Sequence, residues 1–142
     1  MPIVQGGMGV GVSLAGLASA VANQGGVGVI SSAGLGAIYN NYSKDYRTVM
    51  VAMSNFADMV KTAIAEKADI IFSGAGLPLN LPSFLTEDAK TKLAPIVSSA
   101  RAAKVLCQKW FSEYKYIPDA IVVEGPKAGG HLGYKADQIA DE

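Results

Sequence analysis

Along the chain, short apolar runs give way to glycine-dense breaks, and stretches with helical spacing follow. Pro2-Ile3-Val4-Gln5 is short and extended, and Gly6 to Ser13 (GGMGVGVS) is a loop that can approach a ligand closely because its glycines lack side chains. Ser13 reads as a helix N-cap, because Leu14, Leu17, Ala18 and Val21 recur at helical spacing and Asn23-Gln24-Gly25-Gly26 supplies a stop. Val27-Gly28-Val29-Ile30 is predicted as a buried strand on its β-branched content, ending in the small-residue loop SSAGLG. Residues 1–36 are thus expected as strand, loop, helix, strand, loop.

The pattern recurs. Ala57 to Lys67 carries Met59, Val60, Ala63 and Ile64 on one side and charges elsewhere, which predicts an amphipathic helix, and Ala68 to Gly76 (ADIIFSGAG) is a strand running into a loop. Leu93 to Val97 is another strand, and SSARAAKVLCQKW is a helix capped by Ser98 or Ser99. Ala120 to Val123 is the next strand, delivering IVVEGPKAGGHLG (Ile121 to Gly133). Alternation of this kind predicts an α/β fold of βα units with a parallel sheet and right-handed crossovers. The unusual loops follow strands, and in a (β/α)8 barrel or an open α/β sheet that is the end where ligands bind. Ile38 to Thr48 is polar and aromatic and runs into Val49-Met50-Val51-Ala52 without a helix. A parallel crossover needs about a dozen residues and usually a helix, so either this is an irregular loop or residues of the natural chain are missing here. Roughly five strand-like runs are too few to close an eight-stranded barrel, which takes about 250 residues.

Composition narrows the function. Half of the 142 residues are hydrophobic, enough for a real core, and twelve basic residues balance twelve acidic ones without a long run of either sign. Nucleic acid is therefore a poor partner. No apolar run reaches the roughly 18 residues of a membrane span, and no signal-peptide pattern opens the chain, so no membrane partner and a cytoplasmic location are expected. The single cysteine, Cys107, suits a reducing compartment, and its helical setting argues for a half-buried thiol over a nucleophile. No metal site is expected. Met50 and Met53 read as core filling, and Trp110, Phe111, Tyr114 and Tyr116 as packing residues remote from the strand ends. Ser73-Gly74-Ala75-Gly76 is either the wall of a substrate cavity or a tight turn. His131, the only histidine, follows glycines at a strand end, where an imidazole of ordinary pKa about 6.5 can act as base or donor near neutral pH. A lone histidine is otherwise more often a surface or satisfied core residue, and Lys127 is equally a loop charge or a ligand contact.

Five ordered segments, PIVQGGMGVGVS, AVANQGGVGVISSAG, SGAGLP, APIVSSARAAK and IVVEGPKAGGHLG, together resemble the nitronate monooxygenase (2-nitropropane dioxygenase) family, which includes the FMN-dependent enoyl-acyl-carrier-protein reductase. The resemblance spans nearly the whole chain and implies a (β/α)8 TIM barrel, present here as an incomplete N-terminal portion, with FMN at its C-terminal face. It implies that Gly7, Met8 and Gly9 lie against the flavin, that Glu124 and Lys127 are flavin-side positions, and that Gly129 and Gly130 clear space beside a catalytic or substrate-orienting His131. The implied activity on a small-molecule substrate is oxidation of alkyl nitronates with dioxygen. NADH-dependent enoyl reduction, with acyl carrier protein as partner, is the alternative. The segment missing near 48–49 and the absent later strands leave open a non-catalytic truncated fragment. A half-barrel exposes sheet edges and an apolar inner face, so association into a homo-oligomer is also expected.

Overall fold

The computed structural model describes residues 3–34, 56–129 and 133–134. Met1–Val49 and Met50–Glu142 form two compact units. The expectations for residues 38–52, for Met53 and for the suspected gap near 48–49 fall outside the described residues.

In the first unit, helix α1 (Ala15–Asn23) follows the glycine loop and ends as the sequence predicts. Gly25 takes φ +82° and donates to Ala22 O, and Gly26 donates to Val21 O, which ties off two carbonyls of the last turn. Residues 3–5 and 27–29 then run parallel, joined by one bridge between Val4 and Val27. Val27 N–H donates to Ile3 O at 2.8 Å, and Gln5 N–H donates to Val27 O at 3.0 Å. The predicted buried strand at 27–30 is therefore corrected: only this bridge forms, and Ile30 is 61% exposed. Its inner contact explains the glycine, since a Cβ on Gly28 would lie 2.0 Å from Ala18 O. The helix packs against bare backbone, with Ala18 as its buried residue.

In the second unit, helix α2 (Phe56–Ala65) buries Val60 and Ile64, and strand β1 (Ile70–Ser73) follows. A 3-10 turn at Leu81–Phe84 precedes strand β2 (Lys92–Val97), then helix α3 (Ala100–Tyr114) and strand β3 (Val122–Val123). The strands form a parallel sheet in the order β1-β2-β3, with Ile71 opposite Leu93 and Ile96 opposite Val122. Leu93, Leu106 and Trp110 are completely buried and form the core with Val60, Ile64 and Leu81. The indole N–H of Trp110 donates to Pro78 O at 3.0 Å, so the polar atom of this large side chain is satisfied inside the core.

Strand β3 is shorter than the predicted Ala120–Val123, and Pro95 supplies the reason. Leu93 and Val97 both turn their backbone groups toward β3, Leu93 exchanging bonds with Asp119 and Val97 O accepting from Glu124 N–H at 2.8 Å. Pro95, between them on the same edge, has no N–H to offer. Two of the four aromatic residues read as packing do pack: Trp110 is buried with Tyr116 edge-on at 6.0 Å. Phe111 is the correction, 55% exposed with Lys115 Nζ 5.7 Å from its ring, because it falls one position past the buried stripe of α3.

Candidate functional site

Each unit presents glycine loops where its strands end, and side chains to which the sequence pattern assigned other roles, or none, hold each loop. In the first unit the loop Gly6–Ser13 closes on the Ser13 hydroxyl. That oxygen, with no exposed surface, accepts from Met8 N–H at 2.9 Å and from Gln5 Nε2 at 3.0 Å, and donates to Gly6 O at 3.2 Å. Ser13 is therefore not the helix cap. Leu14 occupies the N-cap position without a side-chain bond, because the serine hydroxyl is taken up by the loop. The Gln5 amide also spans to Val29, donating to its carbonyl at 3.1 Å and accepting from its N–H at 3.4 Å, and so supplies the rung that the short ladder lacks.

Val10 N–H donates to Ala33 O at 2.7 Å, and Ser31 N–H donates to Ser13 O, which lays the loop along residues 31–33. Val10 has φ +53°, a left-handed conformation that a β-branched residue adopts only under strain. Of the three residues here that the resemblance implies lie against the flavin, Met8 is 48% exposed, Gly7 would place a Cβ 3.3 Å from Val29 Cγ1, and Gly9 would place one 2.9 Å from Ala33 O. An open apolar cleft of about 350 Å³ lies elsewhere in this unit, between Ile3 and Ala20, Val21, Gln24 and Gly26, beside the strand starts and away from the glycine loop.

In the second unit the segment Ser73–Gly76 turns through left-handed positions at Ala75 (φ +58°) and Gly76 (φ +136°), and a Cβ on Gly74 would press on the Ile96 side chain at 3.0 Å. The Ser73 hydroxyl is buried and has no hydrogen-bond partner among the described residues. Ser99 caps α3 by accepting from Ala102 N–H at 3.2 Å, while Ser98 turns away to donate to Gly133 O at 3.2 Å. At the end of β3, one carboxylate oxygen of Glu124 accepts from Gly133 N–H at 3.0 Å, and the Tyr134 hydroxyl donates to Glu124 O at 3.0 Å. Lys127 is exposed in a turn closed by Ala128 N–H on Gly125 O, and a Cβ on Gly129 would meet nothing within 4 Å. Gly130 and His131 lie outside the described residues.

A family model for nitronate monooxygenase matches residues 37–142. The chain belongs to the nitronate monooxygenase family. Members of this family are FMN-dependent oxidoreductases, and the matched residues include Glu124, Lys127, Gly129, Gly130 and His131 but not the Gly6–Ser13 loop. Among solved structures, a methionine-to-alanine mutant of FabK from Thermotoga maritima is similar at 29% identity with a TM-score of 0.70. That likeness covers 93% of this chain and 45% of the FabK chain, so this chain spans less than half the length of the structure it matches. The fold is accordingly a portion of a (β/α)8 barrel. No curated protein matches the chain. No helix among the described residues is long and apolar enough to cross a membrane.

The glycines differ in what their missing side chain makes room for. Gly28 and Gly133 are required by the protein's own packing, since a Cβ there would strike Ala18 O or Ser98 Oγ within 2.3 Å. Gly6, Gly125 and Gly129 face open space among the described residues, as do Gly16 in α1 and Gly25 just after it. Gly6, Gly125 and Gly129 sit in loops that follow strands, the position where barrels hold their ligands.

Proposed function

We propose that this chain is part of an FMN-dependent oxidoreductase that oxidises nitronates with dioxygen. The observation that carries the reading is the nitronate monooxygenase family match over residues 37–142, which takes in the Glu124–Gly129 segment after β3. When bound, FMN supplies the redox chemistry, accepting electrons from the substrate and passing them to dioxygen. The chain's residues do the holding and orienting. Gly7, Met8 and Gly9 line one loop toward the flavin, with the exposed Met8 side chain giving an apolar contact. Glu124, Lys127 and Gly129 would hold the flavin from the second loop, with Gly130 next in sequence, and the exposed Lys127 ammonium would offer a positive charge to an anionic substrate. His131 follows in sequence and would hold or donate a proton to the substrate's oxygen atoms.

A second reading, FMN-dependent enoyl-acyl-carrier-protein reduction with NADH, is favoured by the likeness to FabK. It would bring acyl carrier protein as a partner. Purified protein titrated with FMN tests what the two readings share, with flavin fluorescence quenching saturating near one equivalent as the expected result. Absence of binding would overturn both. Oxygen uptake with propionate 3-nitronate against NADH oxidation with a crotonyl thioester then separates them. Under either reading, His131→Ala should lower turnover while FMN stays bound, and unchanged turnover removes His131 from the chemistry.

A further inference from the structure

Three hydrogen bonds from the ends of two neighbouring strands converge on the dipeptide Gly133-Tyr134. Ser98, directly after β2, donates to Gly133 O; the Glu124 carboxylate, directly after β3, accepts from Gly133 N–H; and Glu124 O accepts from the Tyr134 hydroxyl. The seat is close: a Cβ on Gly133 would lie 2.3 Å from Ser98 Oγ and 2.7 Å from Ser98 Cβ, so only glycine fits. Residues 124 and 133 are thereby pinned together.

We propose that Glu124 is a positioning residue whose carboxylate, with Ser98 and Tyr134, clamps Gly133-Tyr134 against the ends of β2 and β3 and so fixes the loop that begins at Gly125. The carboxylate is engaged by a backbone donor of its own chain, a charge-assisted bond and the strongest kind of the three. What the clamp requires of position 124 is an acceptor at that distance, which an amide oxygen also provides, through a weaker, neutral bond. A flavin or substrate contact working through negative charge or proton transfer would instead need the acid itself. That the clamped loop faces a cofactor rests on the FMN reading above; the clamp does not.

The test is hydrogen exchange of the Gly133 amide, followed by NMR in the 142-residue chain, with the β1 and β2 ladder amides as a control for the fold. Glu124→Ala should accelerate Gly133 exchange roughly tenfold or more while the ladder amides keep their rates, and Glu124→Gln should stay within about threefold of the parent. Tyr134→Phe, which removes one neutral bond and leaves the carboxylate, should give a smaller acceleration and tests the clamp should the alanine variant fail to fold. Unchanged Gly133 exchange in Glu124→Ala and Tyr134→Phe would overturn the proposal. Equal acceleration in Glu124→Ala and Glu124→Gln would overturn it as well, in favour of a role for the charge. FMN titration of the same variants should follow the same order, weakened in the alanine variant and near parental in the glutamine one. A parent chain that binds no FMN would end the flavin reading and leave the exchange result to decide the clamp.

Discussion

Ala18 and Gly28 bring α1 onto the backbone of residues 27–30 with almost no side chain between them, whereas Leu93, Leu106 and Trp110 fill the space between sheet and helices in the second unit. The first arrangement gains little from apolar burial, and its polar contacts, Gln5 on Val29 and Ser13 on the glycine loop, carry correspondingly more of the order. The second rests on buried area, at about 25 cal/mol per Å² removed from water. The two units should therefore respond to different kinds of damage.

The largest expected effect tests the second unit. Leu93→Ala removes a fully buried side chain at the centre of the core and should cost about 2–5 kcal/mol. Urea unfolding followed by the fluorescence of Trp110, the only tryptophan, measures it. Next comes Gly28→Ala in the first unit, expected to cost about 1–3 kcal/mol by forcing α1 off its backbone contact. It should speed hydrogen exchange at Ala18 to Val21 and leave the Trp110 midpoint where it was. A Trp110 midpoint that falls equally would break the contrast between the units.

Two buried serines sharpen the comparison further. Ser13→Ala strips the acceptor from Met8 N–H and from Gln5 and should cost about 1–3 kcal/mol. Ser73→Ala removes a hydroxyl without a partner among the described residues and should be neutral or slightly stabilising. Thermal melts of both variants decide, and a large loss in Ser73→Ala would mean that its hydroxyl is bonded after all.

The smallest effect is on pH dependence, at the pair joining β2 to the start of β3. Burial works against ionisation of Asp119, but hydrogen bonds from Tyr116 and Leu93 N–H, with the charge of Lys92, outweigh it and lower its pKa. Burial, followed by the bond to Asp119, pushes Tyr116 up to about 12. A depressed acid contributes in full above its unfolded value of about 3.9 and loses that contribution as pH falls through the folded value. A raised tyrosine contributes in full below about 10 and loses it as pH rises toward 12. The Trp110 unfolding midpoint should thus decline in both limbs, and Tyr116→Phe should flatten the alkaline one. An alkaline limb unchanged by that substitution would assign it to other groups.

Helices and strands with strong periodicity were legible in the sequence: α1, α2, β2 and the start of α3 sit close to their predicted places, because their apolar spacing and the Ser99 cap are local signals. Helix ends were less so. Lys67 and Lys115 take the left-handed positions that glycine usually marks, so α2 and α3 stop without the expected residue. The lengths of the strands at 27–30 and 122–123 depend on neighbours across the sheet, including a proline whose effect falls on the next strand. In the candidate site, the loops at Gly6 and Gly125 could be located from glycine spacing alone. The residues that hold them, Gln5, Ser13, Ser98 and Tyr134, could not, since their partners lie five to thirty-five residues away in the chain.

Val10 has a consequence in mutational terms. Its left-handed backbone is one that glycine adopts freely, its side chain is 66% exposed, and so Val10→Gly would relieve strain while removing little packing. Every valine codon lies a single base change from a glycine codon. A laboratory selection of this chain for thermal tolerance alone should reach that replacement early, whereas a selection that also demands ligand binding by the loop would reveal whether the strained valine is worth keeping.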